Sequence, residues 1–140
     1  MTFRPYLTFN GNCREAFTRY KEIFGGETFM MTMADMPAEV GPNPEETNPD
    51  AIMHAALTIG DDLLMGADDP SGQFDGKVDG MCVNYSTAET TEATRVFSAL
   101  ADDGTIQVPI AETFFSPAFG MCTDRFGTPW MIMVEQPQPG

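Results

Sequence analysis

A chain with one imidazole has few ways to do acid–base or metal chemistry, and here that imidazole is His54. An imidazole can both donate and accept a proton, so His54 is the candidate for proton transfer and for ligand contact; a strand histidine hydrogen-bonded inside the fold is the plainer alternative. The three cysteines, Cys13, Cys82 and Cys122, are odd in number and lack C-x-x-C spacing. That argues against a disulfide framework and against a structural zinc site. Cys82 is a candidate ligand contact, although no second histidine is available to activate it as a nucleophile, and a small buried hydrophobe is the simpler role. His54, Asp68, Cys82 and Glu112 could be gathered into an unusual divalent-metal site, but nothing in their spacing demands it.

Charge narrows the partners. Twenty-one Asp and Glu face seven Lys and Arg in 140 residues, a formal net charge of −14. Phosphate backbones and anionic lipid repel such a polyanion, which argues against nucleic-acid and membrane-surface roles. A cationic or neutral small molecule is easier to accommodate. No stretch approaches the roughly 18 apolar residues of a membrane span, and the first residues lack a basic segment followed by an apolar run, so a cytoplasmic location is expected.

Two amphipathic helices position these groups. In the first, Cys13, Ala16, Phe17, Tyr20, Ile23 and Phe24 form one stripe, with Arg14, Glu15, Arg19, Lys21 and Glu22 opposite. Asn12 is placed to cap it, Glu15 completes a box-like start, and Gly25-Gly26 supplies a left-handed exit. In the second, Ala93, Val96, Phe97, Leu100 and Ala101 form the stripe, Ser86 and Glu89 stand at capping-box spacing, and Gly104 closes it.

Extended segments surround each helix. Phe3–Phe9 precedes the first; Glu27–Asp35, Ala51–Ile59 and Leu63–Asp68 follow, the last two across a Gly60-Asp61-Asp62 turn. Met81–Tyr85 precedes the second; Thr105–Phe114, Phe119–Asp124 and Trp130–Glu135 follow. The pattern is β-α-β-β-β twice, an α+β architecture of two modules, 1–70 and 78–136, joined across Pro70–Gly76. Residues 36–50 interrupt the first module as either surface loop or lid. Methionines crowd the second strand (Met30, Met31, Met33) and the last module (Met121, Met131, Met133) beside Phe114, Phe115, Phe119, Phe126 and Trp130. Such side chains pack cores, and can also mould to apolar ligands or attract cations. Phe115 and Trp130 are the candidate pocket walls, and Asp124 is expected to fix the following turn.

The run Thr123-Asp124-Arg125-Phe126-Gly127 with Trp130-Met131-Ile132, preceded by Glu112-Thr113-Phe114-Phe115 and Phe119-Gly120, resembles the PhnB-like group of the glyoxalase/bleomycin-resistance, or vicinal-oxygen-chelate, superfamily. Pro5-Tyr6-Leu7, Gly11-Asn12, Tyr20 to Gly25, His54-Ala55 and Leu64-Met65 extend the likeness over nearly the whole chain. The resemblance implies that the two βαβββ modules curl their sheets into a cup around a small-molecule site, commonly in a homodimer. Members of the group carry a ubiquinone-pathway methyltransferase label, yet no G-x-G-x-x-G follows a predicted strand here, so no nucleotide-type cofactor cradle is expected. Enzymes of the wider superfamily hold a divalent metal with His and Glu from the first, fourth, fifth and last strands. Carried over, those positions fall at Pro5 (or Arg4 or Tyr6), near Met65, near Met81 and at Met131. None is a His, Asp or Glu, and thioether cannot replace carboxylate on a hard or borderline cation. The expectation is a small-molecule-binding protein without the usual metal and without another cofactor, with His54, Asp68, Cys82, Phe115 and Trp130 as candidate contacts. The rivals are a metal-dependent glyoxalase- or dioxygenase-like enzyme using atypical ligands, and a drug-sequestering protein of the bleomycin-resistance type.

Overall fold

The alternation of apolar residues in short segments and their 3.6-residue spacing in two longer ones fix the elements. The computed structural model describes residues 1–35 and 48–135. In order these are β1 (Tyr6–Phe9), α1 (Cys13–Phe24), β2 (Glu27–Thr32), β3 (Ile52–Ile59), β4 (Asp62–Asp68), β5 (Val83–Thr87), α2 (Thr90–Ala101), β6 (Thr105–Ala111), β7 (Phe119–Thr123) and β8 (Pro129–Val134). The chain divides into two compact units, Met1–Gly76 and Lys77–Gly140. Each carries one helix and one four-stranded mixed sheet, ordered β1-β4-β3-β2 in the first and β5-β8-β7-β6 in the second. The opening strand of each unit pairs parallel with its last strand, and the remaining pairs are antiparallel. The double β-α-β-β-β reading therefore holds, with strand ends moved by a few residues. Of the predicted interruption at 36–50, residues 36–47 lie outside the described residues.

In the first unit, Ala16, Phe17, Tyr20 and Ile23 of α1 bury themselves against Leu7, Phe9, Ala55 and Leu57. Phe17 meets Phe9 and Tyr20 edge-on, at centroid distances of 6.1 and 5.6 Å. Each such side chain contributes about 1.5–3 kcal/mol through removal of its surface from water. Gly66 lies beneath them because a Cβ there would come within 2.9 Å of the Leu7 carbonyl oxygen and 3.0 Å of the Phe17 ring.

The entrance of α1 departs from the sequence expectation. Asn12 occupies the cap position but makes no capping hydrogen bond, and its buried Oδ1 has no partner among the described residues. The cap comes instead from the end of β4. Asp68 Oδ1 accepts from the backbone N–H of Gly11 and of Cys13, both at 3.0 Å, and Oδ2 accepts from Ile52 at 2.8 Å.

In the second unit Ala93, Val96, Phe97 and Leu100 of α2 are buried with Cys122, Trp130, Ile132 and Val134. The Ser86–Glu89 capping box does not form: Ser86 lies within β5, and Glu89, at the cap position of a helix starting at Thr90, makes no side-chain cap. Nor is Gly104 the left-handed exit; that conformation belongs to Asp103, at φ 59°. Gly104 is glycine because a Cβ would collide with the Thr123 carbonyl oxygen. At the edge, β6 is almost wholly exposed, carries Pro109 just past its centre and pairs irregularly with β7 on either side of Val108.

Candidate functional site

The faces of the two sheets that do not carry the helices are the places where side chains remain available to a ligand. Gly66 faces α1, as its closeness to Phe17 shows, and its strand partners Leu7 and Ala55 face the same way. Alternation then puts the neighbouring residues on the opposite, open face. Tyr6 is in register with Met65, Met65 with Ala56, and Ala56 with Phe29, a row that crosses all four strands. His54 lies on the same face directly opposite Met31. The register slips between Met31 and Thr32, and past that bulge Ile52 turns back into the core.

Tyr6 and His54 meet on this face. The phenol oxygen stands 3.1 Å from His54 Nδ1, sharing a hydrogen bond whose direction follows the imidazole tautomer, and the ring centroids are 5.8 Å apart. The Tyr6 phenol is shifted above its ordinary range, first by burial of the hydroxyl and then by the Cys13 side chain, so it is protonated at neutral pH. No described residue takes His54 Nε2. Around the pair stand Met31 and Met65, both half-buried, the exposed Phe29, and the small Ala56 and Ala67.

In the second unit a Cβ on Gly120 would press within 2.8 Å of Phe97 of α2, so Gly120 and its partner Ile132 mark the helix side. The open face therefore carries Asn84, Met131, Met121 and Val108 in one row, with Ser86, Met133 and Phe119 in the next. Phe115 stacks edge-on against Phe119 at 5.0 Å and against Phe114 at 5.1 Å. Asn84 Nδ2 donates to Ser86 Oγ at 3.2 Å.

The predicted contacts thus separate. His54 is on an open face, and Phe115 is 41 % exposed beside one. Asp68 is corrected: it is 4 % exposed, and both oxygens are committed to backbone N–H groups, so its work is to fasten helix and sheet. Trp130 is corrected too. It shares the helix-facing side with Ile132 and Val134, is 2 % exposed, and donates its indole N–H to Asp124 Oδ2 at 2.9 Å. Asp124 Oδ1 accepts from Phe126 and Thr128 at 2.9 and 3.0 Å, the turn-fixing role expected of it. Cys82 is half-buried just ahead of β5. Cys13 and Cys122 lie in the cores; burial and then the Asp68 carboxylate push the Cys13 thiol far up, and burial and then Asp124 push Cys122 to about 11. Tyr6, Met65 and Phe29 were not picked out as binding residues from sequence, because what unites them with His54 is lateral strand register.

The metal positions can be tested against register. In the first unit the first- and fourth-strand positions are Tyr6 and Met65, which pair directly. In the second, Met131 pairs with Asn84. Met81 precedes β5, so the fifth-strand position moves to Asn84. Phenol, amide and two thioethers do not fit a hard or borderline divalent cation. Among the described residues, no three His, Cys, Asp or Glu side chains gather as a metal site. A further property concerns charge: none of the eight strands contains Lys or Arg.

Comparison with known proteins places this geometry. Residues 1–133 match the family model described as 3-demethylubiquinone-9 3-methyltransferase. Protein YjdN of Escherichia coli K12 is 35 % identical over 147 residues, covering 99 % of each chain. Protein PA1353 from Pseudomonas aeruginosa is 39 % identical with a TM-score of 0.87, covering 98 % of this chain and 99 % of that one. The PhnB protein from Bacillus cereus superposes with a TM-score of 0.76 at 23 % identity, over 96 % and 99 % of the two chains. At the level of fold alone, a glyoxalase/bleomycin resistance protein/dioxygenase family enzyme from Burkholderia phytofirmans gives 0.61 at 13 % identity, over 94 % and 97 %.

Proposed function

Since this chain belongs to the 3-demethylubiquinone-9 3-methyltransferase family and shares the glyoxalase/bleomycin-resistance fold, we propose that it binds a small molecule on the open face of its first sheet. One observation carries this reading: the Tyr6–His54 couple is a hydrogen-bonded polar pair set among thioether, aromatic and methyl groups. A phenol and an imidazole offer both donors and acceptors, while Phe29, Met31 and Met65 offer an adaptable apolar surface. With no Lys or Arg in any strand, and a net charge of −14, nothing on the sheet neutralises an anion. The ligand class is an uncharged or cationic molecule with an apolar body and one hydroxyl or carbonyl group. A homodimer is part of the same reading, supported by the exposed apolar side chains Ile106, Val108 and Phe114.

The test is chemical-shift mapping with shape-matched neutral, cationic and anionic aromatics. Neutral and cationic members should move Tyr6, His54, Phe29 and Met65 signals, and Tyr6→Phe should weaken binding by about 1 kcal/mol, roughly fivefold. A preference for the anionic member sinks the reading. The lack of Lys and Arg in the strands together with the open aromatic rings also favours a sequestering role toward a cationic drug; tight, salt-sensitive binding without turnover selects it. Turnover lost in a folded His54→Ala variant makes the protein an enzyme.

A further inference from the structure

Beside the positions that do not fit a divalent metal stands a softer set of donors, one imidazole and two thioethers. We propose that the open face of the first sheet binds a soft monovalent cation, copper(I) or silver(I), between the imidazole of His54 and the thioethers of Met31 and Met65. This goes beyond the small-molecule reading and needs no organic ligand.

Chemistry and placement both support it. Thioether sulfur and imidazole are ligands for copper(I), whereas carboxylate and water suit harder ions. Met31 stands directly across from His54 on the adjacent strand. Met65 is in register with Ala56, two residues along from His54 on the same face. Opposed cross-strand residues have Cβ atoms ~4.5–5.5 Å apart and diagonal ones ~7–8 Å, distances that flexible methionine side chains can close onto one ion. Ala56 and Ala67 leave the intervening surface low.

Tyr6 completes the arrangement. Its phenol engages Nδ1 at 3.1 Å, which leaves Nε2 as the ligating atom and fixes the ring, the role that outer partners of metal-bound histidines play. Met31, His54 and Met65 are all half-buried, so the ion would shed part of its water, and the −14 chain favours a monocation over a polyanion. Cys13 and Cys122 are 0 % and 1 % exposed in the two cores, where an ion arriving on this face does not reach them. Cys82 is the competitor to remove. The second sheet pairs Met121 with Met131 but offers no nitrogen ligand beside them.

The test uses the full chain carrying Cys82→Ala, labelled at the methionine methyls and titrated with silver nitrate in chloride-free buffer. Anaerobic competition against a copper(I) chelator supplies the affinity. One equivalent of silver should move the Met31 and Met65 methyls and the His54 ring together. The volume-conserving Met31→Leu/Met65→Leu variant should keep its fold and lose binding. Tyr6→Phe should retain one-to-one stoichiometry with affinity lowered on the order of tenfold. Shifts confined to Met121, Met131 and Met133, or binding that vanishes with Cys82, overturn the proposal. So does silver that bypasses this face while neutral aromatics still perturb Tyr6 and His54, a result that leaves the small-molecule reading standing.

Discussion

The two units fold by the same rule and offer different chemistry. At corresponding points of their sheets, Tyr6 pairs with Met65 and Asn84 pairs with Met131. Around the first point stand an imidazole and a phenol in contact; around the second stand Met121, Met133 and Phe119. The scaffold is also fastened alike but in different places. Asp68 gathers two backbone N–H groups at the entrance of α1 and one at the start of β3, while Asp124 gathers two backbone N–H groups and the Trp130 indole at the β7–β8 turn. Duplicated topology thus preserves where a residue stands and leaves free what that residue can do.

The largest way to strain this comparison is to cut the first fastener. Asp68→Ala strands three N–H groups, two of them in buried hydrogen bonds, and should cost about 3–5 kcal/mol by denaturant titration. Amide-exchange protection should fall first in α1 and β3 of the first unit. Asp124→Ala should cost a comparable amount, about 3–5 kcal/mol, because it too holds two buried hydrogen bonds and one part-buried one. Its signature is a red-shifted Trp130 emission with α1 protection intact; if either substitution melts both units equally, the independence of the two fasteners is wrong.

Titration tests the second unit by a different route. Burial holds the Cys122 thiol at about 11, above its ordinary range. The contribution of the neutral thiol to stability is therefore complete below about pH 8.5 and is lost as pH rises through about 11. Cys122→Ala should flatten that alkaline decline in stability. Smallest of all should be the effect of Tyr6→Phe on folding, at most about 0.5 kcal/mol for a half-exposed side chain, against its fivefold effect on ligand affinity. Asn84→Ala, at the matching point of the second sheet, should leave ligand affinity at the first unchanged.

Much of the fold was legible because periodicity is local. Both helices and all eight strands follow from spacing, and the turn at Gly60 follows from its flanking alternation. What escaped was long-range. The cap of α1 comes from a residue 55 positions further along the chain, so the nearby Asn12 was the natural but wrong choice. Tyr6 and His54 are 48 positions apart, and only lateral pairing brings them together. Trp130 alternates in phase with the buried Ile132 and Val134, and that alternation is a stronger local signal than its place in a motif. The fifth strand shows how a boundary matters, since starting it at Met81 rather than Val83 put the wrong residue opposite Met131.

Pro109 has a consequence for how this protein behaves at high concentration. An outermost strand with Ile106 and Val108 turned to water invites another chain to continue the ladder. A proline has no N–H to give, and the uneven pairing beside it bends the margin away from a flat template. The border most exposed to runaway fibre growth is thus the one whose sequence interrupts it.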